Sequence, residues 1–219
     1  MISITISDEI KSVCPDLKAM AISCNVINTP YDASLWQEIS AQEEYVRSEY
    51  KLEDVNKIRQ IYATRQAYKV LGKDPNRYRP SAEALHRRIH RHLPLYQINT
   101  LVDLINLISI RSGYSIGGFD AAKIKGDLIL GVGKDGESYS GIGRGSLNIE
   151  RLPVYRDEVG GIGTPTSDEE RTKLENETTN LLMIINAYSG IVGLADTEDY
   201  AIRLLKEYVL ANEIEMVVI

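Results

Sequence analysis

All three histidines of the chain, His86, His90 and His92, crowd into the stretch YRPSAEALHRRIHRH beside Arg79, Arg87, Arg88 and Arg91, with Arg77 just before it. Two chemistries suit such a cluster. Imidazoles four residues apart share one face of a helix, as zinc pairs do. However, Arg87 stands where the glutamate of HExxH would follow His86, and the neighbouring guanidinium groups repel a dication. Neither a metal nor any other cofactor is expected. Guanidinium forks match phosphate geometry. Arg77, Arg79, Arg87, Arg88 and Arg91 are therefore candidates for contacts to a nucleic-acid backbone, opposed locally only by Glu83. Helical periodicity places Ala82, Leu85, Ile89 and Leu93 on one apolar stripe. Arg87, Arg88 and Arg91 then point outward, with His90 to one side, and the simpler reading of that face is a solvated helix surface.

A second constellation lies on the next helix. Asn99, Asp103 and Asn106 are spaced to share one face of INTLVDLINLISIRSG, and the residues around them are apolar. Polar groups on a buried helix require partners. They either tie down neighbouring loops or line a pocket with the following SIGGFD, which carries Gly117, Gly118 and Asp120. A further wall is expected from RDEVGGIGTPTSDEERTK, with Asp157, Gly160, Gly161, Thr164 and Thr166. Glycines let backbone approach a ligand, and the N–H groups opening a helix receive an oxyanion. GVGKDG matches GxGxxG in letters, but a strand-like segment follows it where a dinucleotide site needs a helix. It reads as a turn.

The elements that must position these residues form one α+β domain. With 219 residues, 43% of them hydrophobic and 26% charged, the chain is long enough for a sizeable core. Its net charge of −6 argues against general coating of DNA and leaves room only for a local basic patch. MISITIS alternates like a strand and lacks the features of a secretory leader. Cys14 and Cys24 show no metal spacing, and LLMII is too short to span a bilayer, so a cytoplasmic protein without membrane attachment is expected. The opening reads strand, helix, strand; YDASLWQEISAQEEYVRSEY and LEDVNKIRQIYATRQAYKVLG each read as one amphipathic helix. In the latter, Val55, Ile58, Ile61 and Tyr62 recur at helical spacing and Gly72 caps the end. SAEALHRRIHRHL is the next helix, opened by Pro80. DLILGVGKDGESYSGIG reads as two strands around a turn. DEERTKLENETTNLLMIINAYS reads as a long helix, with Ser167 and Glu170 as its capping box. DTEDYAIRLLKEYVLAN and IEMVVI close the chain as helix and strand.

RPSAEAL, INTLVDLINLISIRSGYSIGGFDAAKIKGDLIL and VYRDEVGGIGTPTSDEERTKL resemble the B3/B4 domain of the phenylalanyl-tRNA synthetase beta subunit, in its free-standing bacterial form. The resemblance runs from about Tyr78 to Tyr188. It implies a mixed α/β fold with helices packed on a β-sheet, a B3/B4-like domain over residues 76–219, and an N-terminal α/β extension over 1–75 packed on it. In the synthetase this domain hydrolyses the ester of tyrosine wrongly attached to the phenylalanine tRNA. LVDLIN is similar to the family's VVDVTN, retaining Asp103 and Asn106 with Ile105 at the threonine. Gly117-Gly118-Phe119-Asp120 stands at its HAFD loop, so a glycine replaces the histidine. Gly160-Gly161 echoes its Gly-Gly-Glu without the glutamate.

The resemblance therefore implies a tRNA quality-control protein acting as a trans aminoacyl-tRNA deacylase on tRNA or aminoacyl-tRNA. The lost histidine and glutamate favour a non-catalytic module for tRNA or a free amino acid. In the first reading Asp103, Asp120 or Asp157 receives the amino group, and Thr164, Thr166 or backbone N–H groups hold the carbonyl or water. A structural or interaction protein is the third reading. No sequence feature sets the oligomeric state or the amino acid.

Overall fold

The computed structural model describes residues 2–219. The alternating start folds as β1 (Ile4–Ile6), followed by α1 (Asp8–Val13), whose first turn is capped by the Ser7 hydroxyl on the Ile10 N–H. Next come β2 (Lys18–Asn25), then α2 (Ala33–Glu49), capped by Asp32, and α3 (Arg59–Val70). Pro80 opens α4 (Ser81–His90). Asn99 caps α5 (Thr100–Ser112), which ends at left-handed Gly113, φ 78°. After it follow β3 (Ser115–Asp120), β4 (Leu128–Val132), β5 (Ser140–Gly141), β6 (Gly145–Ser146), β7 (Pro153–Arg156) and β8 (Gly161–Gly163). The chain finishes with β9 (Asn180–Ala187), α6 (Leu194–Val209) and β10 (Asn212–Val218).

Two four-stranded sheets are stacked, with strand orders β10-β2-β9-β3 and β1-β4-β7-β8. Only β1 and β4 run parallel; the remaining ladders are antiparallel. The first 25 residues thus supply an edge of one sheet and an inner strand of the other. On one face of the β9 sheet, Met20, Ile22, Leu181, Met183 and Ile185 pack against α2, α4, α5 and α6. On the other, Ala19, Ala21, Phe119, Leu182 and Ile184 meet Ile4, Ile6, Leu128, Leu130 and Tyr155 of the second sheet. The layers are therefore helices, sheet, sheet, an α+β architecture. Among the described residues no helix is long and apolar enough to cross a membrane.

The structure departs from the sequence reading in four places. The long helix expected over 168–189 is absent: Glu170–Thr172 forms a 3-10 turn and Asn180–Ala187 is β9. An apolar run of this length serves a buried strand as well as a helix. Pairing with β2 and β3 on both sides decides it. Ser167 accordingly caps no helix; its hydroxyl donates to the Asp168 carbonyl. The helix expected over 52–72 breaks at extended Ile58, after a 3-10 turn over Val55–Lys57. Val55 and Ile61 both enter one small core with Ala82, whereas six residues apart they would face different sides of an unbroken helix. Tyr62 is exposed. β4 does not fold back on the segment after it, because β1 and β7 occupy its two edges, and β5 pairs with β6 instead. Finally, α4 stops at His90, and Leu93 lies exposed beyond it.

The outward basic face expected on α4 is partly turned inward. Glu83 is only 1% exposed and gathers arginines from two elements and a loop. Arg65 of α3 meets it at 2.7 Å, Arg87 at 2.8 Å and Arg79 at 3.6 Å. Arg65 also donates to the Asn76 side chain and the Pro75 carbonyl, binding the connector to α3. Removing one partner of a buried ion pair leaves uncompensated charge. Glu83→Gln is expected to lower unfolding free energy by about 3 kcal/mol in urea denaturation. A loss under about 1 kcal/mol would show that this carboxylate does not hold α3, the connector and α4 together.

Candidate functional site

A cavity of about 590 Å³ opens between α4, α5, β3 and the segment from Thr164 to Glu177. Each wall follows from local sequence. The Asn99 side chain caps α5 by accepting from the Val102 N–H at 3.0 Å and donates to the Leu174 carbonyl at 3.2 Å, which fixes the far wall. Ile105 and Leu174 close over β3 at Gly118, where a Cβ would stand 2.6 Å and 3.0 Å from their methyl groups. The Thr164 hydroxyl donates to the Ser167 carbonyl and accepts from the Thr166 and Ser167 N–H groups, winding TPTS into a tight turn. That turn delivers Asp168 to the free edge of β3.

Asp168 is the residue that sequence reasoning missed. Its Oδ2 accepts from the Gly118 N–H at 3.1 Å, while Oδ1 accepts no hydrogen bond from the described residues. Part of the residue reaches the surface, but the carboxyl group lies deep, and burial pushes its pKa up to about 7 against the single Gly118 hydrogen bond. Gly117 and Gly163 clear the space behind it. A Cβ on either would strike the Phe119 ring, and one on Gly163 would lie 3.0 Å from Oδ1. Reading 168–189 as a helix concealed all of this, since it made Asp168 an ordinary acidic residue of a first turn.

The structure brings Asn99, Asn106, Gly118 and Thr164 together in the cavity wall. It does not bring Asp103 there: Oδ2 accepts from Trp36 Nε1 at 2.8 Å and Oδ1 from the Ile98 N–H at 3.1 Å. Burial still raises the Asp103 pKa despite those two donors. Asp120 caps the turn after β3 and accepts from Thr178 at 3.0 Å, close to Lys123. Asp157 takes both Arg171 nitrogens at 2.9 Å together with the N–H groups of Lys125, Val159 and Gly160. Burial would raise its pKa, but these bonds outweigh that and lower it. Gly117 serves Phe119 and Asp168, and Gly161 packs on Tyr139 and Val154. Gly160 lies outside the cavity wall in the loop that Asp157 closes. Thr166 is buried against the Tyr68 hydroxyl at 2.8 Å.

A smaller compartment of about 290 Å³ adjoins the cavity and shares Ser81, Leu85 and Asn106 with it. Arg79, Arg87, Arg88, Arg91 and Arg144 line it, with no acidic residue among the lining side chains. Arg79 and Arg87 lean on Glu83. Arg88 stacks over Tyr96 at 4.0 Å. Arg91 and Arg144 are exposed and make no ion pair among the described residues. Arg77 is exposed beside Tyr78 and does not line the compartment. Arg144, unforeseen from sequence, comes from the glycine-flanked ribbon of β5 and β6, and Ile142 of the same ribbon reaches the main cavity. Asn106 stands where the compartments meet, and its amide has no partner among the described residues. The histidines take no part in either wall. His86 is buried with Nε2 on the Ile110 carbonyl, and burial depresses its pKa to about 4.

The main cavity is acidic, with Asp168, Glu170, Glu175 and Glu177 against Lys173. Two of these carboxylates are already neutralised, Glu170 by Lys173 at 3.0 Å and Glu175 by Lys123 at 2.5 Å. Asp168 is raised in the folded state relative to an unfolded carboxyl near 4. The native chain therefore binds more protons between about pH 4 and 7, and stability falls as pH rises through that window. Asp168→Asn removes this loss. Its melting temperature should exceed that of the unsubstituted protein by more at pH 8 than at pH 5, and an equal difference at both would contradict titration of Asp168 near neutrality.

Residues 63–203 match the family model described as the B3/4 domain. No curated protein matches the chain. Among solved structures it is similar to an N-terminal fragment of the phenylalanyl-tRNA synthetase beta-subunit from Pyrococcus horikoshii, with 14% identity and a TM-score of 0.49. That similarity covers 99% of this chain and 53% of the other, so the chain spans about half the length of that fragment. With the match running from α3 into α6 and taking in both compartments, the chain belongs to the B3/4 domain family.

Proposed function

We propose that this protein acts in tRNA quality control by hydrolysing, in trans, the ester of a mischarged aminoacyl-tRNA. The observation that carries the reading is the pairing of two joined compartments of opposite charge. The larger is partly apolar and acidic, of a size for an amino-acid side chain and its ammonium. The smaller is ringed by arginines and suits the phosphates of the terminal nucleotides. Membership of a family resembling the synthetase's editing domain points the same way.

Within this arrangement the Asn106 amide, free at the junction, holds the ester carbonyl. Water adds to the carbonyl carbon, the bond to the terminal ribose oxygen breaks, and that oxygen takes up the proton as the amino acid leaves. The ester is already activated, so orientation and a donor for the developing oxyanion suffice to accelerate this step. The Thr164 hydroxyl donates within its own turn and has no proton to offer.

Incubation with a panel of mischarged tRNAs should release one class of amino acid above background. Arg91→Ala and Arg144→Ala should weaken tRNA binding across sequences and lower the slope of log affinity against log salt by about 0.7 to 0.9 each. Unchanged affinity in both variants would remove tRNA from the basic compartment. Retained binding with no ester loss would reduce the protein to a non-catalytic tRNA-binding module.

A further inference from the structure

We propose that the Asp168 carboxylate is the receptor for a primary ammonium group, so that the cleft selects ligands bearing an ammonium and, at the far end, a phosphate. This rests on the proposed aminoacyl ligand and adds its recognition chemistry.

Elimination among the carboxylates comes first. Asp103, Asp120 and Asp157 are engaged by Trp36, by Thr178 and by Arg171 respectively. Glu170 and Glu175 are held by lysines at the rim, and Glu177 is exposed. Asp168 alone lines the cavity with one oxygen fixed by the Gly118 N–H and no cationic partner on its carboxyl group. The Gly118 N–H sets the direction of the carboxyl group. Gly117 and Gly163 leave the room it needs, since a side chain at Gly163 would push it forward.

A deep carboxylate without a cationic partner is costly to ionise. An incoming ammonium supplies that partner, so binding and ionisation of Asp168 are linked. The groups facing it are the paired Glu170 and Lys173, the paired Glu175, exposed Glu177, and Tyr139, whose hydroxyl is committed to the Ser167 carbonyl. The ion pairs are formed throughout the neutral range, which leaves Asp168 as the group in the cavity that changes charge there. The arginine compartment next door repels an ammonium and attracts a phosphate. This polarity fixes which end of the ligand enters where.

The probes are 3′-amino-3′-deoxyadenosine 5′-phosphate acylated through a stable amide with phenylalanine, tyrosine, leucine or valine, and the matching des-amino acyl compounds. Calorimetric titration of the unsubstituted protein should show at least one amine-bearing member binding about tenfold or more tightly than its des-amino counterpart. Asp168→Asn should shrink that preference below about threefold while leaving des-amino affinity unchanged. Between pH 6 and about 7.5 the preference should grow in the unsubstituted protein and stay flat in the variant. The des-amino series carries the same phosphate and subtracts its titration. Equal affinity for the two series, an intact preference in Asp168→Asn, or no binding by any probe would each overturn the assignment. If mischarged tRNAs are not hydrolysed but the ammonium preference holds, ester hydrolysis falls and the Asp168 site stands.

Discussion

Strand β9 has no face to give to water. Leu181, Met183 and Ile185 lie under the helices while Leu182 and Ile184 press on the second sheet, and both its edges are hydrogen-bonded. Every other layer is placed by this demand for cover on two sides. β2 and β3 must flank it, the helices must lie over one face, and β1, β4, β7 and β8 must close the other. The cleft follows directly. β3 is the edge of its sheet, so the backbone there is open to a side chain from elsewhere, and the turn after β8 fills that vacancy with Asp168.

Charge is partitioned with similar economy. The chain as a whole carries −6, yet its arginines are not spread evenly against its acids. Glu83 draws Arg65, Arg79 and Arg87 toward the interior and organises three segments of chain around one carboxylate. Arg87 and Arg79 still reach the smaller compartment, where Arg88, Arg91 and Arg144 join them without an acid in the wall. Residues that pair with the buried carboxylate and residues that line the compartment thus share the same helix. The buried pair fixes where α4 sits, and that position determines what its other residues face.

Small residues set the limits of the main cavity. Gly118 allows Ile105 and Leu174 to approach the strand, and Gly117 with Gly163 seats the Phe119 ring and the Asp168 carboxyl group. The loss of the histidine expected from the family pattern at Gly117 is therefore more than a deletion of chemistry. A larger side chain at that position would meet the Phe119 ring at 2.6 Å. Beside the same strand stands a carboxylate delivered from a different part of the chain, Asp168.

Periodicity and caps fixed much of the outline without help. The stretches of α1, α2, α5, α6, β2 and β10, the stop at Gly113 and the need for polar partners along Asn99, Asp103 and Asn106 all follow from local chemistry that acts over a few residues. The same is true of the basic character around Arg77 to Arg91, and of the motifs that carry the family resemblance. Tertiary pairing alone decided that LLMII is a strand, because a continuous apolar run satisfies helix and strand equally until neighbours claim its edges. It also decided which polar residues line the cavity. Asp103 and Asp157 were as eligible as Asp168 by type, but a distant Trp36 and Arg171 consumed their oxygens. Burial and partnership are properties of contacts across tens of residues, and no local pattern encodes them.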